Sequence, residues 1–259
     1  MILTDIIQEK RTQIEASKKR VSLEYLKHRL LRKNIQRRNF KAAISQPNGI
    51  NVIAEIKKAS PTRGVIREDF NPQRIAAQYQ INGAAAISVL TDEKFFQGKL
   101  EYIKLIKRIC SLPVLRKDFI VDEYQVYESA LAEADAILLI ADILSKEEIH
   151  RFSSLAKSLD MAVLCESHSE EDLNKSIKAK QDIIGINNRD LNTFKLSIAT
   201  TENLISLIPE NKVIVSESGI KSRSDILFLK SLGVNAVLIG EVFMDAGDIG
   251  KIVREFTGR

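Results

Sequence analysis

After residue 50 the sequence repeats one unit eight times: a short apolar run rich in β-branched residues, a polar loop and a helical pattern. Strict alternation of strands and helices is typical of a parallel sheet. Runs such as DAILLI at 135–140 are apolar nearly throughout, as strands covered on both faces are. Eight such units in about 210 residues favour a closed (β/α)8 barrel, the TIM-barrel architecture, over an open doubly wound sheet. The sequence therefore predicts an α/β protein built on this barrel.

Hydrophobic periodicity gives the predicted bounds of these elements. The strands are predicted at 51–56, 85–90, 113–117, 135–140, 161–166, 182–187, 212–217 and 235–240. The helices between and after them are predicted at about 72–82, 99–109, 123–133, 145–159, 169–179, 200–208, 222–232 and 246–256. Gly83 and Gly233 follow two of the helical patterns, as residues that end helices do.

The segment before the first strand has a different character. Residues 1–45 predict two helices, at about 2–18 and 22–35, each with an apolar stripe at helical spacing. Such stripes must pack on something, so we expect a helical extension that covers a barrel formed by 51–259. Because no Pro-rich or low-complexity linker divides the chain, 1–259 is predicted to form a single domain.

Charge is unevenly distributed along the chain. Residues 1–45 contain 12 Lys and Arg against 4 Asp and Glu, whereas the whole chain has a net charge of +5. A basic arm can bind nucleic acid or an anionic surface. The apolar stripes favour instead a solvated face of packed helices, so we expect no nucleic acid and no membrane as partner. A monomer is the favoured state, because no extra apolar surface stripe is evident.

Cysteine and histidine usage narrows the class of protein further. Cys110 and Cys165 stand in unrelated contexts, which argues against a disulfide scaffold and agrees with a reducing compartment. The three histidines lack ligand-like spacing, so no metal site is expected. Asp5 and Glu9 interrupt the apolar N-terminus, and the longest apolar run is far shorter than the about 20 residues of a membrane helix. A cytoplasmic, soluble protein is the expectation.

Polar residues collect where the predicted strands end. In the first strand, alternation places Glu55 and Lys57 on the same face as Ile53. Charged groups there are costly if buried without partners. Five other strands also end in polar or charged residues: Thr91 and Asp92, Arg116 to Asp118, Glu166 and Ser167, Asn187 to Arg189, and Glu217 and Ser218. Active sites of (β/α)8 barrels lie at this face, so the pattern predicts an enzyme site, although ion pairs across the barrel mouth would give the same pattern.

The last two strand-to-helix turns, SESGI at 216–220 and IGE at 239–241, each contain a glycine. Glycine allows the backbone to approach a ligand closely, and phosphate sites in these barrels are often built from these two loops and a short extra helix. We therefore expect a phosphate at Gly219 and Gly240, with the short helix beginning at Glu241. The alternative is that both glycines only form tight turns.

An acid and a base are predicted on two other strands. Lys117 and Glu166 share their faces with Leu115 and Leu164, so both should point into the barrel. We expect an apolar setting or nearby cations to lower the pKa of the lysine, and desolvation to raise that of the glutamate. A structural ion pair is the alternative. Phe96 and Phe119 would give flat walls to an aromatic ligand, or they are ordinary packing.

These residues occur in segments that together resemble one family. AEIKKASPTRG, VLRKDFIVDEYQVYES, DAILLIA, LCESHSEEDL, IGINNRDLNTF, VSESGI and VLIGEVFM are similar to indole-3-glycerol-phosphate synthase, in order and over nearly the whole chain. The resemblance implies a (β/α)8 barrel with a helical extension. It also implies a cofactor-free ring closure in tryptophan biosynthesis, which turns 1-(2-carboxyphenylamino)-1-deoxyribulose 5-phosphate into indole-3-glycerol phosphate, carbon dioxide and water.

The resemblance also implies roles for single residues. Lys117 stands at the position of the general acid and Glu166 at that of the base of the dehydration. Glu55 and Lys57 match the pair that positions the substrate and supports proton transfer, and the remaining matches form three groups. Asn187 and Arg189 match the residues that orient the reacting carboxylate and the hydroxyls of the substrate. Ser60 and Glu217 match further active-site positions. Ser218, Gly219 and Gly240, helped by Lys57, match the phosphate site. The apolar pocket for the aromatic ring is matched by Phe96, Phe119 and Leu138.

Two positions depart from the family pattern. Glu241 stands where a small hydroxyl residue is frequent, and its carboxylate would repel a phosphate unless the side chain turned away, so only its backbone amide is expected to bind. Lys99 stands where a serine is usual, which could alter the loop after the second strand.

Three other readings stay open from the sequence. Phosphoribosylanthranilate isomerase is a similar barrel, but it needs a cysteine–aspartate pair at the strand ends, and Cys165 lies on the face opposite Glu166. The basic extension could bind RNA or a membrane surface. An inactive barrel kept as a scaffold would not need Lys117 and Glu166.

Overall fold

A computed structural model describes residues 2–47, 49–190 and 195–258 and contains a closed barrel of eight parallel strands. In chain order the strands are β1 (Asn51–Ile56), β2 (Ala59–Ser60), β3 (Gly64–Val65), β4 (Ala86–Leu90), β5 (Val114–Lys117), β6 (Ala136–Ile140), β7 (Ala162–Ser167), β8 (Ile183–Asn187), β9 (Val213–Glu217) and β10 (Ala236–Ile239). The barrel closes in the order β1-β10-β9-β8-β7-β6-β5-β4, and β2 and β3 form a small hairpin of their own. The predicted (β/α)8 barrel is confirmed.

Helices alternate with the barrel strands as predicted. The helices are α1 (Ile2–Arg20), α2 (Leu23–Leu31), α3 (Phe40–Ile44), α4 (Pro72–Ile81), α5 (Glu93–Phe96), α6 (Glu101–Lys107), α7 (Glu123–Leu131), α8 (Lys146–Ser158), α9 (Glu170–Lys178), α10 (Ala199–Ile205), α11 (Arg223–Ser231), α12 (Glu241–Asp245) and α13 (Ile249–Thr257). Among the described residues there are also three short helices, α3, α5 and α12, which the hydrophobic periodicity does not predict. Only α12 was expected among them, because four or five residues are too few for a periodic pattern. Among the described residues, no helix has both the length and the apolar character needed to cross a bilayer.

Strand alternation divides the buried side chains into two layers. The barrel interior holds residues such as Ile53, Leu115 and Leu164, whereas Cys165 belongs to the larger layer between strands and helices. Two residues further along the same inward faces come Glu55, Lys117 and Glu166. The alternation predicted for these strands is therefore confirmed, and it is what brings charged groups to one end of the barrel.

The N-terminal extension reaches both ends of the barrel. Leu3 and Ile6 of α1 border a cavity at the C-terminal ends of the strands. At the opposite end, Phe40 and Ile44 of α3 are fully buried in the interior layer, where they close the barrel floor. The segment between α2 and α3 contacts the last turns of α6 and α7 through Arg37 and Arg38.

Part of the positive charge of the extension has a structural use. Arg37 donates to the carbonyls of Ala134 and Ala130 at 2.8 and 3.0 Å. Arg38 donates to those of Leu112 and Lys107 at 2.7 and 2.9 Å. Ala130 and Lys107 lie in the last turns of α7 and α6, whereas Ala134 and Leu112 lie in the loops before β6 and β5. The two guanidinium groups therefore bind the extension to the barrel, which a count of charges along the chain does not reveal.

Candidate active site

A cavity of about 380 Å³ opens at the C-terminal ends of the barrel strands. It is bordered by all of the residues predicted for the site except Ser60: Glu55, Lys57, Phe96, Lys117, Phe119, Leu138, Glu166, Asn187, Arg189, Glu217, Ser218, Gly219, Gly240 and Glu241. Ser60, in β2, borders a smaller adjoining cavity of about 100 Å³ that lies under α1. The topology thus assembles in one place residues that are up to 186 positions apart in the chain.

Lys117 is the centre of the buried polar groups in this cavity. Its Nζ donates to Glu166 Oε2 at 3.0 Å and lies 3.6 Å from Glu217 Oε2. The other oxygen of Glu166 accepts from Asn187 Nδ2 at 3.0 Å. Glu166 and Glu217 are each 1% exposed, so these interactions are hardly screened by water. The ends of β5, β7 and β9 therefore hold one ammonium and two carboxyl groups in a fixed array, and the amide of Asn187 at the end of β8 completes it.

The protonation of this array differs from the sequence-based expectation. Burial alone would lower the pKa of Lys117, but the surrounding carboxylates, chiefly Glu166, raise it well above the usual range. Burial alone would raise the pKa of Glu166, but the charges of Lys117 and His168 lower it to about 2. Burial and the nearby charge of Glu166 raise the pKa of Glu217 to about 8. The predicted lowering of the pKa of Lys117 and raising of that of Glu166 are wrong for this structure. The carboxyl group with the raised pKa is Glu217 instead.

Two glycines make room for the carboxylates. A Cβ added to Gly185 in β8 would lie 2.4 Å from Glu217 Oε1, and one added to Gly240 would lie 2.4 Å from Glu55 Oε1. Both distances are far below van der Waals contact, so a side chain at either position would displace a carboxylate of the site. Gly185 was missed by sequence reasoning, because it adds no polar group. Gly240 was predicted for a different reason, the approach of a ligand to the backbone.

Further cations that border the cavity include Lys57 and Arg189. Lys57 Nζ lies 3.2 Å from Glu55 Oε1 and 3.4 Å from Glu241 Oε1. Arg189 Nη2 donates to the same Glu241 oxygen at 3.1 Å. The Glu241 side chain therefore turns towards the cations of the cavity and neutralises part of their charge. Sequence reasoning found the departure at Glu241 but not these partners.

The loops predicted to bind phosphate have an unusual backbone. Ser218 and Gly219, directly after β9, both have left-handed φ angles, of 65° and 75°. A non-glycine residue there is strained, and such strain concentrates at ligand sites. Gly240 stands before the short helix α12, and Lys221 also borders the cavity. Two such loops and a short helix are the arrangement that frequently binds phosphate in these barrels.

Aromatic and aliphatic side chains form the remaining wall. The rings of Phe96 and Phe119 are tilted, with centroids 6.1 Å apart, and Leu138 lies in the interior layer beneath them. A flat ring could contact this apolar surface while its polar substituents reach the charged groups. Over the part of the chain that the structure describes, no three His, Cys, Asp or Glu side chains are grouped as ligands of a metal ion would be.

His168 lies beside Glu166 at the end of β7, and the sequence predicted no role for it. Its Nε2 lies 3.5 Å from Glu166 Oε1, and both ring nitrogens are buried. Cys165, by contrast, faces away from the cavity, with its thiol 3.1 Å from Ser176 Oγ. Burial raises the pKa of this thiol to about 12. It is therefore a packed core residue, and the cysteine that the isomerase reading needs is not supplied by Cys165.

Known proteins match this chain over nearly its whole length. Residues 3–256 match the family model described as indole-3-glycerol phosphate synthase. A relative of that name from Clostridium acetobutylicum is 50% identical over 256 residues, which cover 99% of this chain and 97% of the relative. One from Thermoanaerobacter pseudethanolicus is 48% identical over 262 residues, which cover 100% of this chain and 99% of the relative.

Solved structures extend the likeness of the fold. A 3-hexulose-6-phosphate synthase from Salmonella typhimurium superposes with a TM-score of 0.64 at 15% identity, over 81% of this chain and 97% of that one. At this identity the likeness concerns the barrel alone. The family model and the close relatives carry more: this chain belongs to the indole-3-glycerol phosphate synthase family.

Proposed function

We propose that this chain is an indole-3-glycerol phosphate synthase of tryptophan biosynthesis. It converts 1-(2-carboxyphenylamino)-1-deoxyribulose 5-phosphate into indole-3-glycerol phosphate, carbon dioxide and water, without a cofactor. The observation that carries the proposal is the buried array of Lys117, Glu166 and Glu217, placed between a phosphate-type pair of loops and an apolar wall. A substrate with a phosphate at one end and an aromatic ring at the other would span these features.

Substrate binding uses the two sides of the cavity. The phosphate binds at Ser218, Gly219 and Gly240, where Lys57 adds positive charge. The aromatic ring contacts Phe96 and Phe119, and Leu138 lies beneath it. Asn187 and Arg189 orient the carboxylate and the hydroxyls, and Ser60 contacts the substrate from the adjoining cavity. Glu241 contributes its backbone amide, while its side chain yields Arg189 and Lys57 to the incoming anion.

Ring closure joins the aromatic carbon that carries the carboxylate to the carbonyl carbon of the ribulose. Negative charge develops on the carbonyl oxygen as the new bond forms, and Lys117 donates a proton there. A buried ammonium stabilises this charge even before the proton moves, because little water screens it. The carboxylate then leaves as carbon dioxide, and its bonding electrons restore the aromatic ring.

Dehydration completes the indole. The new hydroxyl leaves as water with a proton from Lys57, whose ammonium is held by Glu55 at 3.2 Å. Glu166 accepts a proton from the carbon next to the ring nitrogen, and those electrons form the last double bond. The lowered pKa of Glu166 keeps it ionised at neutral pH, as a group that accepts a proton must be.

The proposal is tested by indole fluorescence on mixing the purified protein with the carboxyphenylaminodeoxyribulose phosphate. The chain contains no tryptophan, so the product is seen against a low background. A fluorescence rise that matches product measured by chromatography supports the proposal. Substrate that binds without any product formed would overturn it and leave only a phosphate-binding barrel.

The proposal extends to the state of the protein in the cell. We expect a cytoplasmic monomer, a single domain over 1–259, that binds no nucleic acid. The two cysteines are free and buried, as in proteins of reducing compartments, and Arg37 and Arg38 already bind carbonyls of the barrel. Sedimentation velocity and retention on a heparin column at low salt test the monomer and the absence of polyanion binding.

A further inference from the structure

Lys10 of α1 is a buried charge that the proposed reaction does not use. It is 5% exposed, and its ammonium lies 2.6 Å from Asp92 Oδ2 and 2.9 Å from Asp118 Oδ1. Both carboxylates are buried as well. A lysine is almost never buried to this extent unless it is paired, so the N-terminal helix is joined to the barrel by two desolvated ion pairs.

Each of these aspartates fixes a loop that carries an aromatic residue of the site. Asp92 caps α5, where its Oδ1 accepts from the backbone N–H of Phe95 at 2.8 Å, and Phe96 ends that helix. Asp118 accepts from the N–H of Phe119 at 2.8 Å and directly follows Lys117. Lys10 therefore bridges the two loops from which the aromatic wall is built.

The buried cluster contains two cations, Lys10 and Arg116, and the carboxyl groups of Asp92 and Asp118, and Glu128 Oε2 lies 3.6 Å from Arg116 Nη1 at its edge. Arg116 donates to Asp118 Oδ2 at 2.9 Å, and Thr91 donates to the same oxygen at 2.5 Å. Burial alone would raise the pKa of Asp118, but the charges of Arg116 and Lys10 lower it. Without Lys10, Asp92 would lose its cation and Asp118 would keep only Arg116. Breaking a buried pair in this way is far more costly than removing an exposed one.

We propose that Lys10 is a positioning residue, which sets the spacing of Phe96 and Phe119 and thereby shapes the part of the cavity that receives an aromatic ring. That the ring is the carboxyphenyl group of the substrate rests on the proposed function. The N-terminal extension is then a working part of the site as well as a cover. Ile6 and Leu3, about one and two turns before Lys10, border the adjoining cavity together with both phenylalanines.

The cluster lies on the aromatic side of the barrel alone. Lys10, Asp92, Asp118, Arg116 and Thr91 belong to α1, to β5 and to the loops after β4 and β5. The phosphate loops follow β9 and β10, which lie beyond β1 in the barrel order. Disturbing Lys10 should therefore affect the two ends of a substrate differently, which a general loss of stability would not do.

The test compares Lys10→Met, Lys10→Arg and a control, Lys94→Met. Lys94 of α5 pairs with Glu9 of α1 at 2.7 Å, so it joins the same two elements but is exposed. Binding of 2-aminobenzoate and of inorganic phosphate is measured by calorimetry, with kcat and KM alongside. We expect Lys10→Met to raise the dissociation constant of 2-aminobenzoate about tenfold or more and that of phosphate by less than about twofold. Lys10→Arg should restore part of the loss, and Lys94→Met should change neither ligand.

Equal weakening of both ligands by a folded Lys10→Met, or unchanged binding of 2-aminobenzoate, would overturn the inference. If Lys10→Met does not fold, Asp92→Asn is the variant to use, because the amide oxygen can still cap α5 and Lys10 keeps Asp118. Asp92→Asn should raise the dissociation constant of 2-aminobenzoate about threefold and leave phosphate binding unchanged. A wild-type protein that fails to bind 2-aminobenzoate also overturns the inference, whereas one that binds it without turnover removes only the proposed function.

Discussion

The two sides of the candidate site differ in how their cations are neutralised. On one side, Lys117 is held by the two nearly inaccessible carboxyl groups of Glu166 and Glu217. On the other, Lys57 and Arg189 share the carboxylate of Glu241, whose side chain is 29% exposed. The first side is fixed by burial before a substrate arrives, whereas the second must exchange an internal anion for an external one. We infer that Lys117 and Glu166 are preorganised, whereas Lys57 and Arg189 adjust when an anion binds.

The largest expected effect comes from the preorganised side. Lys117→Ala removes the proton donor and the ammonium that stabilises the carbonyl oxygen, so kcat should fall about 10³-fold. KM should change only a few-fold, because the phosphate loops and the aromatic wall remain. Steady-state kinetics by indole fluorescence measures both, with the exposed Lys99→Ala as control. A near-normal kcat would remove Lys117 from the mechanism.

Gly185→Ala tests whether the array depends on its packing. The new methyl group would meet Glu217 Oε1 at 2.4 Å, which would shift the carboxylate or β8. We expect kcat to fall about tenfold to a hundredfold and stability to fall by about 1–3 kcal/mol. Gly247→Ala, where a Cβ would meet no atom within 4 Å, is the matched control. Equal behaviour of the two variants would mean that the array tolerates displacement.

The raised pKa of Glu217 predicts a pH-dependent stability. Its pKa of about 8 lies above the ordinary value of 4.5, so the folded chain keeps a proton that the unfolded chain has lost between these values. Stability should therefore fall as pH rises through this range. Glu217→Gln should remove a part of the fall, on the order of 2 kcal/mol.

Urea unfolding at about pH 5 and about pH 8 measures this difference. The same dependence in wild type and Glu217→Gln would mean that another group holds the proton.

The smallest expected effect lies on the adjusting side. Glu241→Gln keeps the size of the side chain but no longer neutralises Lys57 and Arg189, so the affinity for inorganic phosphate should rise about threefold. Calorimetry at low ionic strength measures it, and the exposed Glu255→Gln on α13 controls for net charge. A fall in affinity would show that Glu241 orders the cations instead of competing for them.

The place of the site was predictable from the sequence, but its electrostatics were not. Alternation along each strand places Glu55, Lys117 and Glu166 on inward faces, and parallel strands bring their ends together. The pKa values depend instead on distances between residues far apart in the chain. Nothing around Glu166 in the sequence shows that Glu217 ends the strand two places along the barrel order and takes up the proton.

Other features were missed because they leave little trace in the sequence. Gly185 acts through the absence of a side chain. Lys10 lies in a strongly basic helix and is indistinguishable there from a solvated lysine, although the structure buries it between two aspartates. The helix α3 is only five residues long, which is too short for a periodic pattern.

That short helix has a practical consequence for handling the protein. Phe40 and Ile44 seal the floor of the barrel, so a deletion of residues 1–45 would open the core as well as uncover the site. A truncation meant to change substrate entry should end before residue 33 and leave the floor in place. An affinity tag on α1 would stand at the entrance of the cavity, whereas α13 ends near Ile50 and Val52, at the far end of the barrel. Immobilisation through the C-terminus would therefore present the cavity to solution.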